Sequence, residues 1–225
     1  MRAWRNLKAR KIIMKPRGKP IKWSPEVAYA VGLITTDGCL SNDGRHIIMN
    51  SSDIPQLKTF KSCLNLSNKI SERKNDGWAK KPAYRVQFGN IILYKWLLNI
   101  GLMPNKTKRI GILKIPNKYF FDFLRGHIDG DGYIKKYQDP VYPNSQRLYT
   151  HFFSASLEHL KWVQNKLKHL LDIEGYFQKF KGEFGLTFAK RESLKLLSKI
   201  YPNPNVPCLK RKYKIIQSLI NKPRW

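Results

Sequence analysis

The sequence predicts an α+β fold made of two pseudo-symmetric repeats, each running helix, two strands, helix, two strands, helix. Three observations carry this. Residues 30–38 (Ala-Val-Gly-Leu-Ile-Thr-Thr-Asp-Gly) and 124–132 (Leu-Arg-Gly-His-Ile-Asp-Gly-Asp-Gly) are versions of one apolar segment ending in Asp-Gly. The elements that follow each segment come in the same order. The offset between Asp37 and Asp131 is 94 residues, too long for a solenoid unit and suited to duplication of a small domain.

Taken in chain order, residues 1–22 form a tail with nine Lys or Arg and no acid, and the first repeat spans 23–104. Its opening helix carries the first Asp-Gly segment, in which Ala28, Gly32 and Thr36 make a stripe of small residues four apart. Gly38 suits the turn that ends this helix. A β-like stretch, His46-Ile47-Ile48-Met49, leads through Asn50-Ser51-Ser52-Asp53 to an amphipathic run on Leu57, Phe60, Leu64 and Leu66. Tyr84-Arg85-Val86-Gln87-Phe88 alternates with period two, as a half-buried strand does, and precedes a helical pattern over 91–98.

Residues 105–117 read as a linker punctuated by Pro104 and Pro116. The second repeat, 118–202, restates the first. Gly126 and Gly130 form its small-residue stripe, and Gly132 its helix stop. Thr150-His151-Phe152-Phe153 is its strand, Leu157, Leu160, Val163, Leu167 and Leu170 its amphipathic run, and Phe184-Gly185-Leu186-Thr187-Phe188 its alternating strand. Leu194, Leu197 and Ile200 mark the last helix of the repeat. Proline at 202, 204 and 207 then excludes regular helix, and 203–225 is a basic extension with a final helix over 209–221.

Composition narrows the function. Hydrophobic content of 42% is ordinary for a packed core, but 43 Lys plus Arg against 15 Asp plus Glu leave a net charge of +28. Such self-repulsion calls for a polyanion, with nucleic acid first. The longest apolar run, residues 27–34, falls far short of the roughly 20 residues of a membrane span, so no membrane partner is expected. Three distant cysteines, Cys39, Cys63 and Cys208, offer neither a disulfide framework nor a zinc site. An intracellular, reducing compartment is expected.

The two small-residue stripes allow the segment helices to touch, and a parallel pair would finish together with Asp37 beside Asp131. Alone, either Asp-Gly reads as a solvated turn; as a repeated pair they read as one site. Adjacent carboxylates repel unless a cation or proton lies between them. With no His or Cys cluster alongside, a hard, oxygen-preferring ion such as Mg²⁺ fits.

Strand alternation marks the surface that would meet nucleic acid. Arg85 and Gln87 alternate with apolar neighbours, and Gln178, Lys179 and Lys181 do so around Phe177 and Phe180. Arg suits guanine and Gln suits adenine in the major groove. Arg45, Lys69, Arg73, Lys135, Lys136 and Arg147 are further contact candidates in strands or hairpins.

The paired segments resemble the motifs of the LAGLIDADG homing endonucleases of the single-chain, two-motif type, and the resemblance covers about 24–201. The second motif matches well. The first departs by Thr35-Thr36 where the pattern has Asp-Ala, but keeps its final acid, Asp37. The resemblance implies two β-sheets forming a saddle over double-stranded DNA, with the motif helices at the centre.

It implies metal held by Asp37 with the Thr36 carbonyl and by Asp131 with the Gly130 carbonyl, and a structural role for Asp129. The implied cofactor is Mg²⁺, with Mn²⁺ or another divalent cation able to substitute, and the implied reaction is hydrolysis of one phosphodiester in each strand. In that reading Lys190 helps to order the attacking water, with Asn50, Ser51 and Ser154 as weaker candidates. The implied protein is an intron-encoded monomer in the cytoplasm or an organelle of the intron's host. The competing reading keeps the fold without cleavage, as an RNA-binding intron maturase or a DNA-binding regulator.

Overall fold

The computed structural model describes residues 19–73, 82–142 and 145–220, so most of the basic tail lies outside the described residues. Helix α1 (Pro25–Thr36) starts where Ser24 accepts a hydrogen bond from the Val27 amide, with Pro25 pre-set for the first turn. Residues 28–35 are all buried, and a helix apolar on every side belongs in a core. Strands β1 (Gly38–Leu40) and β2 (His46–Ser51), helix α2 (Ile54–Cys63), strands β3 (Ile70–Arg73) and β4 (Ala83–Gly89), and helix α3 (Ile91–Asn99) complete the first half. Helix α2 stops before Leu64 and Leu66, which the periodicity had assigned to it.

After a single 3₁₀ turn (Asn117–Tyr119) the order repeats: α4 (Phe120–Gly130), β5 (Tyr133–Gln138), β6 (Gln146–Ser154), α5 (Leu157–Leu171), β7 (Tyr176–Lys179), β8 (Phe184–Phe188) and α6 (Lys190–Ile200). Helix α7 (Lys210–Ile220) follows. The described residues hold two four-stranded antiparallel sheets with matching orders, β1-β2-β4-β3 and β5-β6-β8-β7. The predicted α+β architecture of two like units is what the structure shows. No helix among the described residues is long and apolar enough to cross a membrane.

Helices α1 and α4 pack side by side at the centre. A Cβ on Gly32 would lie 2.1 Å from the Phe123 carbonyl oxygen, and one on Gly126 would lie 2.1 Å from the Tyr29 carbonyl oxygen. The backbones therefore touch where a side chain would stand. Neighbours across the pair rise in number together, from Tyr29 with Gly126 to Thr36 with Gly130, so the helices run parallel and end at the same level.

Gly38 and Gly132 stand at the turns expected of them, and neither has positive φ. Their requirement is space. A Cβ would lie 2.6 Å from Ile34 Cα in one half and 2.5 Å from Ile128 Cα in the other, because each chain leaves its helix by folding directly back across the last turn.

A buried acid locks the centre. Asp129 accepts hydrogen bonds from the Tyr29 hydroxyl at 2.8 Å, the Tyr201 hydroxyl at 2.7 Å and the Leu209 amide at 2.6 Å. Arg125 of α4 donates to the Ile200 and Pro207 carbonyls, so two side chains of the second motif fasten the segment that precedes α7. The linker is fastened too, with Ile110, Leu113 and Ile115 buried in the core and the Ser156 hydroxyl donating to the Ile110 carbonyl.

Candidate metal and nucleic-acid site

Asp37 and Asp131 are the C-terminal caps of α1 and α4, with their amides bonded to the Leu33 and His127 carbonyls. Helix C-termini leave carbonyls without intrahelical partners and carry the negative end of the dipole. Two parallel helices ending together double that field at the two carboxylates. A Cβ on Gly130 would fall 2.6 Å from Asp37 Oδ2 and 2.0 Å from Thr36 Oγ1, so only glycine lets the first acid approach the second motif this closely.

Asp37 is half-buried and Asp131 is exposed. Burial, then the neighbouring charge of Asp131, pushes the Asp37 carboxyl up to about 6; the Thr36 hydroxyl at 3.2 Å, Lys106 and Lys212 work against that rise. Asp131 is also raised, again by loss of hydration, with Lys106 and Lys212 opposing. Two raised carboxyls at one point are held in place by the fold and lack the charge that would satisfy them.

Lys106 and Lys212 were missed by sequence reasoning. Lys106 comes from the linker and donates to the Gly38 carbonyl at 2.6 Å; Lys212 comes from α7 and donates to the Gly132 carbonyl at 2.9 Å and the Asp129 carbonyl at 3.2 Å. Burial lowers the pKa of both, and both acids oppose that fall. Among 43 basic residues neither stands out by type. The available signal was position, a lysine following the third helix of each half.

Lys190 opens helix α6, exposed, and its charge is not among those acting on either carboxylate. Lys106 and Lys212 lie beside the acids because their segments are anchored to the ends of the motif helices, whereas α6 starts directly after β8. Ser51 and Ser154 are each taken up locally, accepting the amides of Asp53 and Ser156 at the entrances to α2 and α5. The Asn50 amide bonds to the Asp37 carbonyl at 3.4 Å, so that strand ends beside the site.

The contact candidates divide by sheet. Arg85 and Gln87 are exposed on β4; Ser71 pairs with Arg85 and Arg73 with Ala83, which puts them on the same outer face, with Lys69 just ahead. Arg45 lies in the β1–β2 hairpin, exposed. In the second half Lys135 lies on the outer face of β5, beside Lys136 on the opposite face of that edge strand. Lys179 and Lys181 are exposed. Arg147 is bound through Nε to Asp139 at 2.6 Å, and the Gln178 side-chain oxygen Oε1 accepts from the Thr187 hydroxyl at 2.8 Å, so these two are partly engaged within the protein.

The donor set around the acids consists of two carboxylates and main-chain carbonyls, with no cluster of three or more His, Cys, Asp or Glu among the described residues. It fits a hard divalent ion that keeps water and substrate oxygens as its remaining ligands. It does not fit zinc or copper.

No family model and no curated protein matches the sequence. Solved structures do. The chain is similar to the meganuclease I-AabMI bound to uncleaved DNA, with a TM-score of 0.58 at 14% identity over 88% of this chain and 89% of that one. It is similar to I-DmoI in complex with its target DNA in the presence of manganese, with a TM-score of 0.52 at 17% identity over 81% and 97%. Full-length DUF199/WhiA from Thermatoga maritima gives 0.56 at 16% identity over 91% of this chain but only 63% of that one, so this chain spans under two thirds of its length. At such identities these likenesses establish the fold, which is of the LAGLIDADG type.

Proposed function

We propose that this protein is a site-specific homing endonuclease that cuts both strands of a DNA target by divalent-metal-dependent hydrolysis. The observation that carries the reading is the composite site. Asp37 and Asp131 are brought together at the ends of two touching helices, each flanked by a lysine, between two sheets whose outer faces carry Arg85, Gln87, Arg73 and Lys135. The DNA-bound neighbours and the manganese-containing complex support duplex DNA as partner and a divalent ion as cofactor.

In this reading Asp37 and Asp131, with the carbonyls of Thr36 and Gly130, hold the ion. A bound divalent cation supplies an activated water and charge neutralisation at the phosphate. The chain's own part is to keep the carboxylates ionised and correctly placed. Lys106 and Lys212 lower the cost of their charge and fix the backbone immediately after each acid. The same lysines offset the phosphate's charge once DNA occupies the hollow. Outer sheet residues set register through phosphate contacts and sequence through base edges.

The deciding experiment incubates the purified protein with a randomised duplex library and Mg²⁺ or Mn²⁺. The expected result is a recoverable target cut on both strands, with cleavage lost in Asp37→Asn and Asp131→Asn. Binding without cutting would replace this reading with a regulator or maturase.

A further inference from the structure

The outer faces of the two sheets have different chemistry. On the first sheet the outward positions carry Asn50, Ser71, Arg73, Arg85 and Gln87, with no Phe, Tyr or Trp and a single ring, His46, that is engaged with Asp43. On the second a ladder of rings runs among Lys135, Arg147, Thr187 and Gln178. Tyr149, His151 and Phe153 alternate along β6 with buried Leu148, Thr150 and Phe152. Ring centroids lie 6.0 Å apart for Tyr133 and His151, 6.2 Å for Tyr137 and Tyr149, 5.8 Å for His151 and Phe153, and 5.5 Å for Phe153 and Phe180. Tyr133 is 53% exposed, Tyr176 45% and Phe180 40%. A monomeric protein rarely leaves such a patch without a partner.

We propose that the second sheet reads an A·T-rich half-site through thymine methyl groups, while the first reads its half by hydrogen bonds. This rests on the duplex-DNA reading above. The ladder begins two residues past Asp131 at Tyr133, so it continues the surface that leaves the acid pair. Lys135 stands within it, opposite Tyr149, and Lys181 follows Phe180 in the chain, so the face carries positive charge. The partner is therefore anionic and lies over rings.

Ring geometry selects the duplex. His151 and Phe153 are inclined by 10°, Tyr137 and Tyr149 by 17°, Tyr133 and His151 by 29°. Near-parallel rings with centroids 5.8 to 6.2 Å apart leave no room for a base between them, since an inserted base needs two van der Waals gaps of about 3.5 Å each, whereas a platform for single-stranded bases needs free faces. In the major groove only A·T pairs display an apolar group, the thymine C5 methyl. Ring edges gain by burying that methyl. Against G·C they leave polar base edges without partners, which adds discrimination by penalty.

The test selects duplexes from a random library by binding in Ca²⁺, so that it does not depend on cleavage. One half of the selected site is expected to be rich in A·T and to lose that preference in Tyr149→Ser and Phe153→Ser, with the other half relaxed by Arg85→Ala. Replacing thymine by deoxyuracil in the A·T half removes only the methyl and leaves the protein untouched. Affinity is expected to fall about four-fold per contacted methyl, with no change for uracil in the other half. Tight duplex binding with no A·T bias, or with no response to uracil, overturns the inference and leaves the DNA-binding reading standing. Tighter binding of single-stranded than duplex DNA overturns it too, and absence of any nucleic-acid binding overturns both.

Discussion

Lys106 and Lys212 stand in matching places, each donating its ammonium to the carbonyl of the glycine that follows a motif aspartate, at 2.6 Å for Gly38 and 2.9 Å for Gly132. One arrives on the linker and the other on the C-terminal helix, so the symmetry lies in space more than in spacing. Lys106 is buried and Lys212 half-buried, and each bears a desolvation cost that the helix ends and both carboxylates offset. Lys106→Met and Lys212→Met should each lower single-turnover cleavage by about 100-fold, in the range seen when one preorganised electrostatic group is removed. Target affinity, measured by anisotropy in Ca²⁺, should change by less than about three-fold, because one lysine is a small part of a phosphate-dominated interface. A loss of affinity equal to the loss of rate would assign the lysines to binding.

Asp37 and Asp131 should behave unlike Asp129, although Asp129 lies only two residues before Asp131 on the same helix. The Asp37 carboxyl is pushed from its ordinary range up to about 6. A folded value above the unfolded one means that stability falls as pH rises through the interval from about 4 to 6, and the penalty persists at pH 8. Asp37→Asn should therefore raise the metal-free Tm at pH 8 by about 2–4 °C while abolishing cleavage. Asp129→Asn should do the reverse, lowering stability by about 1–3 kcal/mol because an amide cannot accept from Tyr29, Tyr201 and Leu209 together. Paired melting curves decide between these signs.

The order of elements was legible because each half carries its own periodicity and the halves agree, so that a weak signal in one was checked by the other. Asp37 and Asp131 were legible for the same reason. Lys106 and Lys212 were hidden because what selects them is anchoring. Arg125 and Asp129 fasten 200–209, and buried Ile110 and Leu113 fasten the linker; no local pattern marks a lysine at the end of such a tether. Lys190 illustrates the converse, a conspicuous position after a strand that the start of α6 carries to an exposed turn. The ring ladder was partly visible as aromatic residues in the second half, but its stacking depends on cross-strand register.

The contact between Gly32 and Gly126 sets the level at which both motif helices end. A methyl at either site would meet backbone at 2.1 Å, which no rotamer change relieves. Gly126→Ala should cost about 3 kcal/mol, at the upper end for overpacking, and the urea midpoint should fall with little change in slope. Separation of the helices would also move Asp37 from Asp131, so the surviving folded fraction should cleave poorly. A Gly126→Ala protein of undiminished stability would mean that the helices are not in backbone contact.

His127 and His159 supply the pH dependence of the fold. Their rings stack at 5.5 Å and 10°, both are about 1% exposed, and His159 Nδ1 donates to the Gly111 carbonyl at 3.0 Å. Phe123 packs its ring edge against both. Burial, then the mutual repulsion of the rings, depresses His127 to about 3, and burial depresses His159 to about 4; Lys106 adds to both and Lys212 to His127. Folded values below the ordinary 6.5 mean that both rings stay neutral in the fold and take a proton on unfolding. Their contribution is complete above pH 6.5 and is lost as pH falls toward 4, at up to about 1.4 kcal/mol per pH unit for each ring. Asp37 opposes this between pH 6 and 4, so the net slope is shallower than two histidines alone would give. Urea unfolding of the wild type between pH 7.5 and 4.5 should show stability dropping below pH 6.5, and His127→Phe with His159→Phe should flatten the drop while retaining the apolar packing. Equal slopes in the two proteins would place the acid sensitivity elsewhere.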